Sequence, residues 1–261
     1  MIKKSLGELL GTFILVLIGC SSVAISTLGI GLSSLLEVAL VWGIGVALAI
    51  YSVRKMCPAH LNPAVSLAHY FGNKINTPTL FYFILFQLIG AILAGALVFI
   101  IFNPQIIEFE LTNGIFRGNS DSGLTARMFG EYFEIVNPNN KYSDLIKAMY
   151  AEFKGTFVLI VVIMLIGKSR RKIGKIAPLL IGLTVSLLIL WIAPVTQGGF
   201  NPARDFGPRL IAYFGGWEKA AFPSIPYSFF TVYILSPLLA GVSASLIFTF
   251  FKRFNKGLKI N

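Results

Sequence analysis

The chain has 261 residues, of which 56% are hydrophobic and only 13% are charged. Because a soluble domain carries charge on about a quarter of its residues, this composition excludes an ordinary soluble domain. The formal net charge of +11 at pH 7 would suit a nucleic-acid-binding protein, but the placement of the basic residues, described below, indicates membrane topology instead.

Six apolar stretches recur along the chain, and each is close to the 20 or so residues that a helix needs to cross a bilayer. They predict an all-α membrane protein with spans at 6–28, 34–53, 79–102, 145–167, 176–193 and 229–251. The first stretch is too long for the core of a signal peptide, so no cleavable signal is predicted.

The basic residues lie at the two termini and in the connections 54–74 and 168–175, which hold no Asp or Glu. The long connection 103–144 is acidic instead. Since Lys and Arg favour the cytoplasmic side, this pattern predicts a multi-pass protein of the cell membrane with both termini in the cytoplasm. The bilayer is the expected partner, and nucleic acid is not.

The two halves of the chain repeat each other. The segment 7–13 (GELLGTF) is similar to 151–157 (AEFKGTF), and HLNPAV at 60–65 is matched by FNPARD at 200–205. Each half holds three spans, an odd number, so the second copy enters the membrane from the opposite face. This inverted repeat predicts one domain over 1–261, with repeats at 1–104 and 145–261, an extracellular loop at 105–144, and a site near the midplane.

The segments that follow each Asn-Pro pair are short. They predict helices at 62–70 and 201–213 that rise roughly 13 to 20 Å, less than the hydrocarbon core of about 30 Å. Asn is a favoured helix cap, and Pro suits the first helical position. Both segments are therefore predicted to be re-entrant half-helices, which are stable at membrane depth only against protein or a water-filled cavity.

These sequence motifs together resemble the major intrinsic proteins, the aquaporin and glycerol-facilitator family, over essentially the whole chain. The resemblance implies six spans plus two half-helices and a homotetramer with one pore in each subunit. It implies that the half-helices meet at the midplane, where their positive ends and side-chain amides face the pore. The implied pore residues are Asn62, Pro63, Ala64, Asn201, Pro202 and Ala203.

The resemblance also implies a selectivity constriction at four positions: Trp42, Ile189, Gly198 and Arg204. Water-selective members usually carry His where Ile189 stands, so its absence favours a wider, amphipathic opening for a polyol. Glycerol facilitators usually carry an aromatic residue where Gly198 stands, which leaves a water-selective channel or a channel for neutral metalloid hydroxides or small acids as alternatives. Four further positions resemble the set typical of glycerol-conducting members: Asp205, Arg209, Pro237 and Leu238.

Four ionisable residues have open roles. Glu8 and Glu152 lie inside apolar spans, where they could couple an ion or accept hydrogen bonds from the re-entrant loops, and their symmetric positions favour loop support. His60 is expected in the vestibule, as a satisfied histidine in preference to a pH sensor. Lys154 receives no predicted role.

The expected function is a passive channel for glycerol together with water and other small neutral solutes, closed to ions and protons. An ion-coupled secondary transporter, which also uses inverted repeats, is the alternative of another class. An enzyme is not expected, because His60 and His69 lack a nucleophile arrangement and no metal-ligand cluster is present in the sequence. No cofactor or metal is predicted.

Overall fold

The computed structural model describes residues 1–133, 135, 136, 138–168, 174–225 and 227–257. Within these residues the secondary structure is entirely helical. Glu134 and several of the predicted topology-setting basic residues lie outside the described residues: Arg170, Arg171, Lys172 and Lys259.

Nine α-helices are found in the described residues, and six candidate membrane spans arise from five of them and from the segment Phe230–Lys252. The helices are α1 (Ile2–Thr27), α2 (Leu35–Val53), α3 (Pro63–Phe71), α4 (Thr77–Thr112), α5 (Gly123–Ala126), α6 (Lys141–Lys168), α7 (Ala177–Thr196), α8 (Pro202–Ala212) and α9 (Ser236–Gly257). The last span begins with a π-helical segment, Phe230–Leu235, and continues into α9. The predicted fold, six spans and two short helices, is confirmed.

Local signals explain where two of the long helices begin. The Ser34 hydroxyl accepts a hydrogen bond from the Glu37 backbone, and the Glu37 carboxylate accepts one from the Ser34 N–H at 2.8 Å, which closes a capping box before α2. Asn76 caps α4 by accepting from the Thr79 N–H at 3.1 Å. These side chains satisfy N–H groups that the first turn of a helix leaves without a partner.

Helix α4 is longer than predicted. The predicted span ends at 102, whereas the helix continues through Pro104 to Thr112 and reaches roughly 54 Å at 1.5 Å per residue. Its final turns carry Asn103, Glu108 and Glu110 and therefore lack an apolar signal, although a helix that leaves the bilayer does not need one. As a result the connection between α4 and α6 covers 113–140, shorter than the predicted loop 105–144.

Glycines allow the long helices to pack with their backbones in close contact. A β-carbon on Gly182 of α7 would overlap the Gly43 carbonyl of α2, and one on Gly90 of α4 would overlap the Leu9 carbonyl of α1. Small residues at such crossings are typical of membrane helices, whose association depends on close van der Waals packing. The long helices thereby enclose the two short helices, α3 and α8.

Candidate functional site

The N-termini of α3 and α8 are joined by two asparagines. The Asn62 side chain accepts from the Ala64 N–H at 2.8 Å and donates from Nδ2 to the Phe200 carbonyl at 2.9 Å. The Asn201 side chain accepts from the Ala203 N–H at 3.1 Å and donates from Nδ2 to the Leu61 carbonyl at 2.8 Å. Each asparagine thus caps its own helix and binds the loop that precedes the other helix.

The prolines and alanines of the two Asn-Pro-Ala motifs occupy the first turns of these helices. Pro63 and Pro202 are the first residues of α3 and α8, where the missing proline N–H leaves no bond unmade. Ala64 and Ala203 follow and are buried. The backbone of α3 is also covered by α9, because a β-carbon on Gly241 would lie 2.5 Å from the Ala64 carbonyl oxygen.

Glu8 supports the loop before α3. Its carboxylate accepts from the backbone N–H groups of His60 at 2.9 Å and Leu61 at 2.7 Å, and from Gln87 Nε2 at 2.9 Å. Leu61 has a φ of +52°, in the left-handed region that non-glycine residues rarely adopt. The contacts with Glu8 therefore stabilise a strained backbone that turns the chain into the helix.

Glu152 has the matching position before α8. It accepts from the Thr196 hydroxyl at 2.6 Å and from the backbone N–H groups of Gly199 at 2.9 Å and Phe200 at 2.8 Å. Phe200 has a φ of +52° and Gln197 one of +65°, so this loop carries left-handed residues as well. All three partners of Glu152 donate, an arrangement that fits a carboxylate used as a hydrogen-bond acceptor.

A narrow cavity of about 150 Å³ runs past the two asparagines, and we call it the central cavity. Trp42, Ile189 and Phe200 contribute apolar surface to its lining, while Asn62, Asn201, Arg204, His60 and His69 contribute polar atoms. The remaining lining side chains are mostly aliphatic: Leu15, Val46, Ile50, Leu61, Val65, Leu159, Ile163, Ile181 and Val185.

The structure brings all four predicted constriction residues to the central cavity. The Arg204 guanidinium carbon lies 4.3 Å from the centre of the Trp42 ring, a cation–π distance. Its Nη2 forms an ion pair with Glu131, and its buried Nη1 has no hydrogen-bond partner among the described residues. The guanidinium is thus held between the Glu131 carboxylate and the Trp42 ring.

The space beside Gly198, which has no side chain, is occupied by the ring of Phe200. Gly198 has a φ of +84°, and a β-carbon there would lie 3.2 Å from the Phe200 ring and 3.6 Å from Ile189 Cγ1. Phe200, two residues along the chain, therefore supplies the aromatic surface beside Gly198 and lines the central cavity.

Asp205 and Arg209 lie behind the constriction. The Arg209 guanidinium donates from Nε and Nη2 to both carboxylate oxygens of Asp205, at 2.9 and 2.8 Å. It also donates to the carbonyls of Glu131 at 2.6 Å and Ala221 at 2.5 Å. Both residues are fully buried, and neither lines the central cavity, so they anchor the surrounding loops.

His60 and His69 stand where the central cavity opens into a wider one of about 1370 Å³, which we call the basic cavity because Lys4, Arg54, Lys55 and Lys74 line it. Their ring centres are 4.2 Å apart. His60 Nδ1 lies 3.1 Å from the Ser66 hydroxyl, while its buried Nε2 has no partner.

Both imidazoles are held in the neutral form. Burial lowers the pKa of His69 to about 4, and burial, with His69 and Lys74 nearby, lowers the pKa of His60 well below its usual value. A histidine with a lowered pKa is neutral above that pKa and gains charge only as the pH falls through it. The two rings thus face the cavities as neutral groups near neutral pH.

Comparisons with known proteins identify the family. Residues 1–248 match the family described as Major intrinsic protein. The chain belongs to the major intrinsic protein family. It is 37% identical over 241 residues to the glycerol uptake facilitator protein of Pseudomonas aeruginosa, and this match covers 90% of this chain and 84% of the relative.

Further relatives agree with this membership. The chain is 33% identical over 248 residues to the glycerol uptake facilitator protein of Haemophilus influenzae, covering 93% and 91% of the two chains. It is 32% identical over 251 residues to the propanediol uptake facilitator of Salmonella typhimurium, covering 94% and 91%. The X-ray structure of the aquaglyceroporin from Plasmodium falciparum shares the fold, with a TM-score of 0.78, 23% identity and 95% of each chain covered.

Sequence reasoning missed two contacts of this major intrinsic protein. Glu131 was read only as one of the acidic residues of a loop, yet it pairs with Arg204, 73 positions away. His69 has no predicted role beyond the rejected enzyme hypothesis, yet its ring centre lies 4.2 Å from that of His60, with the two rings tilted by 35°. No local pattern predicts the first contact, whereas the nine-residue separation of the histidines across a predicted half-helix could have suggested the second.

Proposed function

We propose that this major intrinsic protein is a passive channel for glycerol and water, with the central cavity as the path. One observation carries the proposal: Arg204, Asn62 and Asn201 line the same cavity as apolar side chains such as Ile189 and Phe200. A polyol carries both hydroxyl and C–H groups, so it can form hydrogen bonds with the polar side chains while its carbon atoms contact the apolar ones. Relatives named as glycerol and propanediol uptake facilitators support the same class of solute.

Side chains along the path offer hydrogen bonds that replace those a solute loses when it leaves bulk water. Arg204 Nη1 has no protein partner, and each asparagine Nδ2 has a second hydrogen beyond the one given to a carbonyl. Hydroxyl oxygens accept from these donors in turn, while carbon atoms pass along Trp42 and Phe200. The solute moves down its own concentration gradient, and the bonds made inside lower the barrier by replacing bonds with bulk water.

Ions and protons are excluded mainly at the level of the asparagines. The N-termini of α3 and α8 meet there, and each helix end is equivalent to roughly +0.5 of an elementary charge. A cation that gave up its hydration would meet both positive ends in a narrow, largely apolar cavity. The asparagines donate to a passing oxygen and offer no acceptor for a proton, since their Oδ1 atoms bind the helix caps.

The shape of the constriction also raises a second class of solute. Ile189 and Gly198, with the Phe200 ring filling the space beside them, replace the arrangement expected of a glycerol facilitator. A compact neutral metalloid hydroxide or small undissociated acid fits such an opening as well. A water-selective channel would require an opening too narrow for carbon-bearing solutes.

The assembly is a homotetramer in the cell membrane, with both termini in the cytoplasm and two inverted repeats, 1–104 and 145–261. Lys154 supports an oligomer, because it lies near the middle of the span α6 with its Nζ 4.0 Å from the centre of the Trp191 ring, which is 54% exposed. A lysine facing lipid at the bilayer centre costs roughly 2.5–3.5 kcal/mol. A neighbouring subunit over this face would reduce that cost, and native mass spectrometry reports the number of subunits.

The experiment is stopped-flow light scattering on proteoliposomes, with water, glycerol and boric acid as the permeants. We expect water and glycerol to cross much faster than in empty liposomes, without dependence on an ion gradient. Fast boric acid with slow glycerol would move the assignment to the metalloid class. Water flux alone would contradict the glycerol assignment.

A further inference from the structure

The carboxylate of Glu131 is held beside the constriction from several sides. Glu131 is 3% exposed and lies in the connection between α5 and α6. Its N–H donates to Asp205 Oδ2 at 2.8 Å, its carbonyl accepts from Arg209 Nη2 at 2.6 Å, and its Oε1 contacts Arg204 Nη2. The side chain is therefore fixed at Arg204 by a backbone that two further residues anchor.

The charges at this place include two ion pairs, and Arg127 is near enough to lower the pKa of Glu131 as well. Arg209 engages both oxygens of Asp205, which leaves Glu131 as the partner of Arg204. Burial lowers the pKa of Arg204 and the Glu131 carboxylate raises it, with a net rise that keeps the guanidinium charged. Burial raises the pKa of Glu131, and the adjacent Arg204 opposes that rise. A buried charge without its partner would be strongly unfavourable.

We propose that Glu131 is a positioning and specificity-determining residue, which compensates the charge of Arg204 and fixes its guanidinium beside the Trp42 ring at the central cavity. The inference rests on the proposed function, since it assigns the central cavity as the path. Arg204 then acts as a directed donor and not as a bare cation. With its charge compensated, it releases a hydroxyl readily after binding it.

The pairing has a consequence for charge selectivity. Removing Arg204 alone takes away the ion-pair partner of Glu131, whose pKa burial already raises. At alkaline pH, where this carboxylate is ionised, its negative charge beside the central cavity attracts cations. Removing both charges leaves a neutral constriction. The variant Arg204→Ala should therefore admit cations, while Arg204→Ala combined with Glu131→Gln should not.

The first test measures glycerol flux in proteoliposomes. Glu131→Gln leaves Arg204 uncompensated, and because charge-assisted hydrogen bonds are roughly twice as strong as neutral ones, we expect flux to fall about three- to tenfold. Glu131→Asp keeps the charge on a shorter side chain and should restore part of the flux. The matched control is Glu110→Gln. Native Glu110 is a 5%-exposed residue of α4 that pairs with Arg117 at 2.8 Å, and it is not among the residues that line the central cavity.

Equal losses in Glu131→Gln and Glu110→Gln, or wild-type flux in Glu131→Gln, would overturn the assignment. The second test records potassium leak at alkaline pH, where the Glu131 carboxylate is ionised, with a potential-sensitive dye in the Arg204→Ala variant and in the double variant. A leak in the single variant that the double variant abolishes supports the pairing, and equal leaks in both overturn it. If the wild type conducts no glycerol, the proposed function fails, and the leak comparison still decides the role of Glu131.

Discussion

Glu152→Gln is the substitution that most sharply probes how the loop before α8 is held. Gln has the same shape as Glu but keeps only one acceptor oxygen. That oxygen can retain the Thr196 hydroxyl and the Gly199 N–H, which both bind Oε1, at 2.6 and 2.9 Å. The new NH₂ group then faces the Phe200 N–H, which now binds Oε2 at 2.8 Å.

The loss can be worked out from these three bonds. Leaving the buried Phe200 N–H without an acceptor costs about 1–3 kcal/mol, and the two remaining bonds lose the strength that a charged acceptor gives, about 1 kcal/mol each. The total of roughly 3–5 kcal/mol acts on a loop whose Phe200 has a φ of +52°, a conformation that itself costs about 1–2 kcal/mol. Phe200 should therefore leave its position in the wall of the central cavity.

The assay is glycerol flux in proteoliposomes, together with thermal unfolding in detergent. If only 1 kcal/mol of the loss raises the barrier to permeation, flux falls about fivefold. The control is Glu108→Gln, which removes the same charge from an exposed position at the end of α4. Wild-type flux and stability in Glu152→Gln would refute the reasoning that this carboxylate holds the loop.

Three further predictions concern packing, the constriction and pH. Gly182→Ala should lower the thermal unfolding temperature, because its β-carbon meets the backbone of α2 and such overpacking costs about 1–3 kcal/mol, while Gly167→Ala, whose β-carbon would have no described residue within 4 Å, should not lower it. Gly19→Ala drives a β-carbon against the Trp42 ring, so stopped-flow traces should show glycerol flux falling more than water flux. Because burial lowers the pKa of His69 to about 4, this ring is neutral throughout the range between about pH 5 and 8, and water flux should stay flat there; a transition near pH 6.5 would contradict this.

Much of the fold could be predicted because its signals are local. A span is a continuous apolar stretch, and a half-helix begins at an Asn-Pro pair whose chemistry suits a helix start. The predicted short helices 62–70 and 201–213 agree closely with Pro63–Phe71 and Pro202–Ala212. Helix α4 continues ten residues beyond the predicted span 79–102, because backbone hydrogen bonds extend a helix without needing the continuous apolar sequence that predicts a span.

The side-chain contacts of the site were less accessible to sequence reasoning. The pairing of Glu131 with Arg204 joins positions that only the tertiary fold brings together. The position of the Phe200 ring beside Gly198 depends on the left-handed φ angles of Gln197 and Phe200, which these residue types do not predict. The resemblance to the family could identify the residues of the predicted constriction. The shape of that constriction depends on the backbone conformation of the loop before α8.

The central claim is a passive path for glycerol, and the concentration dependence of glycerol flux tests it most directly. Initial rates in proteoliposomes would be measured over increasing glycerol concentrations, with and without an imposed sodium or proton gradient. The passive channel predicts rates that rise in proportion to concentration and ignore both gradients. Rates that saturate and accelerate when either gradient is imposed would contradict it and indicate a coupled transporter.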